Sequence, residues 1–235
     1  MSHSNFDIPQ LAKYLHLTER EVQKLAERGD LPGRKIKGDW VFSQEEIHHW
    51  WEQKIGLSDS RQLETVEVAL AKNAAEKELP ISLVDLIPEG GIEIPLAART
   101  KDSVIRSMSA LAANTGLLWD ADKMAEALKK REELHPTALD NGVALLHPRR
   151  PIPAILGETF LTLGIAPRGI PFGGGHGNLT DVFFLLCSTD DRIHLRVLAR
   201  LSRLLAQNGF LDELRAQDDA ASARDWIAES EEKID

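Results

Sequence analysis

The chain of 235 residues has one cysteine, one tyrosine and only 6% aromatic residues. A single thiol, Cys187, excludes an internal disulfide and leaves no cysteine set for a structural zinc. It lies in the apolar run 182–187, VFFLLC, which reads as a buried strand, so an inert core thiol is expected. No apolar run approaches the roughly 18 residues that a membrane span needs. The opening MSHSNFDIPQ shows no charged-then-apolar leader. A reducing cytoplasm without membrane attachment is the expected setting. Positive charge is not in excess either. The net charge is −9, which excludes a generic polyanion binder and leaves any nucleic-acid role to a local surface. The glycine-rich stretch 172–177, FGGGHG, lacks the Lys-Ser/Thr of a phosphate loop and reads as a hairpin that exposes His176.

What is present begins with a compact N-terminal pattern. Ile8, Leu11, Ala12 and Leu15 stand at helical spacing after Asp7. Thr18 and Glu21 form a capping-box signature for a second helix that Gly29 should stop. KIKGDWVF then alternates around Gly38-Asp39, as a hairpin does, and Ser43 is placed to cap a third helix over 44–54. His48 and His49 are neighbours on that helix, so they face different ways and do not chelate. Eight lysines and arginines stand against nine carboxylates in residues 1–55. The positive feature is therefore geometric. Arg20, Lys24 and Arg28 recur every four residues along one helix stripe, and Arg34, Lys35 and Lys37 load the hairpin.

Residues 56–79 are polar and alanine-rich, with Leu63, Val66, Leu70 and Ala74 near helical spacing. A linker helix fits, either as a plain spacer or as a homodimer contact. Residues 80–235 alternate strand-like and helix-like segments, which implies an α/β domain. The expected strands are 81–87, the run ending at His147, 154–165 and 181–187. Helices are expected near 101–114, 120–132 and 191–206. A last helix over 211–235 should end in a solvated acidic tail. Asp190-Asp191 reads as a helix cap, and no metal site is expected.

The chemistry concentrates in 131–150, REELHPTALDNGVALLHPRR. An apolar segment delivers His147 at its end, and His194 lies downstream at a helix start. A neutral imidazole, with an ordinary pKa of about 6.5, keeps a nucleophilic lone pair at physiological pH. An arginine fork can hold the oxygens of a transferred phosphoryl group.

Arg131-Glu132, Thr137, Gly142-Val143-Ala144, His147 and the later His194 resemble, in order, the enzyme IIA domain of the fructose/mannitol type. This is a phosphotransferase-system EIIA type-2 domain, and its nitrogen-regulatory branch is included. The opening LVDLIPEGGIEIPLAARTKDSVIRSMSALA fits the same pattern. The resemblance covers about two thirds of the chain. It implies an α/β (α+β overall) fold with a mixed sheet flanked by helices. It also implies His147 as phosphoacceptor, assisted by His194, Arg131 and Thr137, and an HPr-like phosphocarrier protein as donor. No cofactor is implied. This chain has Leu146 and Pro148 where the family has a proline and a small residue.

The segments DIPQLAKYLHL and RGDLPGRKIKGDWVF, with the Trp50-Trp51 pair, resemble the excisionase/MerR-type winged helix-turn-helix. The expected organisation is 1–55 winged helix-turn-helix, 56–79 helical linker and 80–235 IIA-like domain. The expected function is that of a cytoplasmic phosphohistidine phosphotransferase with a regulatory rather than metabolic role. It would couple phosphate on His147 to DNA binding through Arg20, Lys24, Arg28, Arg34, Lys35 and Lys37, and so to transcription. The alternative is a phosphorylation-incompetent IIA-like sensor that serves as a DNA-binding or protein-interaction scaffold.

Overall fold

Thr18 starts the second helix. In the computed structural model, which describes residues 5–15, 17–43, 46, 47, 50 and 81–234, its hydroxyl accepts from the Glu21 N–H at 3.3 Å. The Glu21 carboxylate accepts from the Thr18 N–H at 2.8 Å. This reciprocal cap satisfies donors that the first helical turn would otherwise leave open. It separates α1 (Ile8–Leu15) from α2 (Glu19–Arg28), and Gly29 closes α2 at φ 77°. Strands β2 (Arg34–Ile36) and β3 (Asp39–Ser43) form the hairpin. Its tight turn is Lys37-Gly38, at φ 55° and 100°, one residue earlier than expected. A strand that was not anticipated, β1 (Asn5–Phe6), adds to the other edge of β3. Leu11, Ala12, Leu15, Val22, Ala26, Leu31, Phe42 and Ile47 are buried. Ser43, expected as a helix cap, ends β3, and the residues it would cap at 44 and 45 lie outside the described residues. Glu46, Ile47 and Trp50 are helical, but the rest of the third helix, His48, His49 and the helix expected over 56–79 lie outside the described residues.

The chain divides into two units, Met1–Pro80 and Ile81–Asp235. The second is built on a mixed four-stranded sheet in the order β4 (Ile92–Glu93), β6 (Phe160–Pro171), β7 (Leu179–Cys187), β5 (Val143–Leu146). β6 and β7 are antiparallel, and each outer strand runs parallel to its neighbour. The segments expected to be helical give α3 (Lys101–Asn114) and α4 (Ala121–Leu134), capped by Thr100 and Asp120. Their apolar sides meet the sheet in a core that includes Met108, Leu128, Phe160, Phe172 and Phe183. Cys187 is fully buried, and burial pushes its thiol far up from the ordinary value.

Three expectations are corrected. Residues 81–87 form turns, not a strand. Their apolar Leu83 and Ile87 are buried, and the Leu86 carbonyl accepts from the Leu161 N–H of β6 at 2.7 Å, but the other tertiary backbone bonds run to side chains. Leu83 and Val84 donate their N–H groups to Glu231, and the Arg224 guanidinium donates to the carbonyls of Val84, Ile87 and Pro88. The strand expected at 154–165 starts only at Phe160, because Pro153–Ile155 forms one turn of 3-10 helix. The last helix is two, α6 (Phe210–Arg215) and α7 (Ala220–Glu231), the second restarted by an Asp219 cap. Its acidic end is solvated at Glu229 and Glu232, but not at Glu231. Glu231 is 4% exposed and accepts from Arg200 Nε at 2.6 Å. Arg200 lies on α5 (Asp191–Leu205), which Asp190 caps as expected.

Candidate functional site

The site forms where β5 ends. Residues 137–139 run back along β5: Leu139 N–H donates to the Val143 carbonyl at 2.7 Å, and Leu145 N–H donates to the Thr137 carbonyl at 3.2 Å. Gly142, at φ 84°, makes the reversal between them, and a Cβ there would meet the Arg215 guanidinium at 2.7 Å. All four residues of β5 are buried, so the strand is clamped between this edge and β7. It delivers His147 at 3% exposure.

His147 Nδ1 lies 2.8 Å from the Leu145 carbonyl oxygen. A carbonyl only accepts, so Nδ1 carries the proton of the neutral ring and the lone pair falls on Nε2. His194, in the first turn of α5, is fully buried, and its Nδ1 is 2.8 Å from Ser188 Oγ. The two imidazole centroids are 5.0 Å apart with the rings at 69°. A surface position for His194 is thereby excluded. Two histidines expected from order alone are neighbours in space.

Arg131 and Thr137 shape the segment before β5. Arg131 is 5% exposed and donates to the His135 carbonyl at 2.7 Å. Thr137 gives both its N–H, at 3.0 Å, and its hydroxyl to Glu132 Oε1. Glu132 Oε2 is in turn 2.8 Å from Lys101 Nζ, which also donates to the Phe172 carbonyl at 3.2 Å. Glu132 was read only as half of the Arg-Glu pair, and Lys101 and Ser188 were not anticipated. Ser188 stands two residues before the Asp190 cap, a position that ties the strand end to the helix start. Arg149 and Arg150 are exposed beyond Pro148, which is buried. Among the described residues no group of three His, Cys, Asp or Glu side chains could hold a metal ion.

In the N-terminal unit Arg20, Lys24 and Arg28 are all exposed on α2, and Arg34, Lys35 and Lys37 are exposed on the hairpin. Lys35 Nζ sits 5.2 Å from the Trp40 ring centroid, a cation–π contact that braces the strand pair.

Residues 85–230 match the family described as the phosphoenolpyruvate-dependent sugar phosphotransferase system, EIIA 2. The chain belongs to this family. Residues 6–55 match a helix-turn-helix domain family. Over 149 residues the chain is 32% identical to a nitrogen regulatory protein of Bradyrhizobium diazoefficiens, covering 62% of this chain and 94% of that one. It is 25% identical to the PTS system fructose-specific EIIABC component of Bacillus subtilis, but spans only 22% of that protein. Among solved structures, nitrogen regulatory protein IIA-Ntr from Neisseria meningitidis aligns with a TM-score of 0.55 at 20% identity, over 61% of this chain and 97% of that one. IIA mannitol from Escherichia coli aligns at 0.53 and 19%, over 60% and 97%. At these identities the structural likeness establishes the EIIA fold. No helix among the described residues is long and apolar enough to cross a membrane.

Proposed function

We propose that this chain is a phosphotransferase-system regulator in which His147 Nε2 accepts a phosphoryl group from an HPr-like carrier. One observation carries the reading. The proton of His147 is held at Nδ1 by the Leu145 carbonyl, 2.8 Å away, so the attacking lone pair is on Nε2 beside a second imidazole. In the transfer the bond from phosphorus to the carrier's ring nitrogen breaks as the bond to Nε2 forms, and the carrier's nitrogen recovers the electron pair. The His147 ring gains positive charge, which the Leu145 carbonyl dipole stabilises. With the Ser188 hydroxyl donating to Nδ1, His194 presents Nε2–H as a donor to a phosphoryl oxygen. Arg131 supplies compensating charge. Thr137 fixes the loop.

The same reading assigns the N-terminal unit to DNA. The exposed stripe Arg20, Lys24 and Arg28 enters the major groove, and Arg34, Lys35 and Lys37 meet phosphates or the minor groove. Phosphate on His147 tunes that binding and thereby transcription. Because the unit is not net positive, affinity comes from a dimer that presents two such units, with 56–79 as the dimer contact. The nitrogen-regulatory relative supports the regulatory branch, and the helix-turn-helix match supports the DNA arm.

A second reading has one observation in its favour. His147 is 3% exposed and Pro148 beside it is buried, so a protein donor meets a closed site. On that reading the domain senses a partner without taking phosphate. The deciding experiment incubates the purified chain with a phosphorylated HPr-like carrier. Acid-labile, base-stable label on this chain supports the acceptor. Its absence across donor proteins favours the sensor.

A further inference from the structure

We infer that Glu132 is a positioning residue for His147, acting by diverting a backbone N–H away from the carbonyl that orients the imidazole. The inference rests on the phosphoacceptor reading and names a part of the site that this reading leaves out.

Residues 137–139 and 143–145 run antiparallel, with Ala138 opposite Ala144. The Leu145 N–H donates to the Thr137 carbonyl at 3.2 Å, which makes 137 and 145 a hydrogen-bonded pair. Such a pair exchanges both of its N–H···O bonds. The returning bond, from the Thr137 N–H to the Leu145 carbonyl, is the one that regular pairing calls for. Here the Thr137 N–H instead donates to Glu132 Oε1 at 3.0 Å. The Leu145 carbonyl receives His147 Nδ1 at 2.8 Å in its place. The carboxylate and the imidazole have thus divided one ladder bond between them.

The carboxylate is fitted for this. It is 5% exposed, it also takes the Thr137 hydroxyl, and its second oxygen is held by Lys101 at 2.8 Å. Lys101 is anchored in turn on the Phe172 carbonyl, 3.2 Å away at the end of β6. A charged acceptor outcompetes a neutral carbonyl for the same donor. Without it, the Thr137 N–H returns to Leu145 and competes with the His147 ring. The ring then loses its single tautomer and the aim of Nε2. A misplacement of about 1 Å at a reacting atom costs up to about a hundredfold in rate.

The test uses the full chain with ¹⁵N-labelled histidine. Nitrogen shifts of His147 report its tautomer without any phosphate present. Single-turnover transfer from a phosphorylated HPr-like carrier reports kcat and KM. The wild type should show one Nδ1–H tautomer. Glu132→Ala should show two, with transfer slowed about tenfold and carrier KM unchanged within about twofold. Glu132→Gln keeps an oxygen acceptor for the Thr137 N–H but not its charge, and should show less of the second tautomer than Glu132→Ala. A folded Glu132→Ala chain with an unchanged tautomer overturns the inference, as does a Glu132→Gln chain as perturbed as the alanine variant. If Glu132→Ala does not fold, Lys101→Met is the second variant, since that side chain is already 35% exposed. It removes the anchor of Oε2, so Oε1 is no longer held in place on the Thr137 N–H and the second tautomer should appear; an unchanged ring there is equally fatal. A wild type that takes no phosphate yet shows the tautomer response would end the acceptor reading and leave the positioning role standing.

Discussion

The candidate residues of the two units differ in one respect above all others. In the N-terminal unit Arg20, Lys24, Arg28, Arg34, Lys35 and Lys37 are all exposed. In the C-terminal unit Arg131, Thr137, His147 and His194 are all buried, none above 7%. The first arrangement suits long-range attraction to a polyanion, in which charge matters more than exact aim and added salt weakens the effect. The second suits chemistry, in which burial fixes a ring, a tautomer and a direction of attack. On the proposed function the first is an addressing surface and the second an oriented reactive group.

The sharpest way to break this contrast is to remove the reactive group. His147→Ala should abolish acid-labile labelling completely while leaving the fold intact, as read by phosphotransfer and thermal melting. Label that persists on the variant would transfer the acceptor role to His194 or His176, and the orientation argument would lose its subject.

A second prediction concerns how the buried unit holds itself. Glu231, itself buried, joins the buried Arg200 of α5 to the backbone of Leu83 and Val84. Removing one partner of a buried pair strands the other, so Glu231→Ala should cost about 3–5 kcal/mol in denaturant unfolding. The exposed pair Glu126–Lys130 is its counterpart, and deleting it should leave the denaturant midpoint almost unchanged. Equal costs would show that burial is not what separates the two kinds of charge here.

How much could be read beforehand follows the same division. Strands β5 and β7 are apolar runs, α2 carries its own cap and stop, and the order of His147 and His194 follows the family pattern. These signals are local or come as a motif. Residues 81–87 look like a strand because Leu83, Leu86 and Ile87 are apolar. Their real partners, Arg224 and Glu231, lie about 140 residues away, where no local window sees them. Glu231 in the acidic tail misleads for the same reason, since only the fold brings Arg200 to it. The candidate site was readable as a list of groups. Its orientation was not, because the Glu132–Thr137–Leu145–His147 path depends on strand pairing.

On the exposed side, neutralising Arg34, Lys35 and Lys37 together should weaken retention of all DNA sequences about equally. It should also flatten the slope of log affinity against log salt by up to about 3. A loss confined to one sequence would mean that these residues read bases, and a strictly monomeric chain with no salt-sensitive retention would remove the addressing surface altogether.

The smallest effect tests whether an exposed position can still be structural. Thr18 is exposed, yet its hydroxyl and N–H hold Glu21 at the start of α2, the helix that carries the basic stripe. Thr18→Ala should cost about 1 kcal/mol, read by hydrogen exchange of the α2 amides. The same contacts, the Thr18 hydroxyl first and its backbone N–H second, hold the Glu21 carboxyl below its ordinary value. A depressed carboxyl contributes stability above its unfolded pKa and loses it as pH falls through the folded one. Acidification through the carboxylate range should therefore loosen α2 in the wild type and do so less in Thr18→Ala. An identical acid response in both would show that the cap does not hold the stripe.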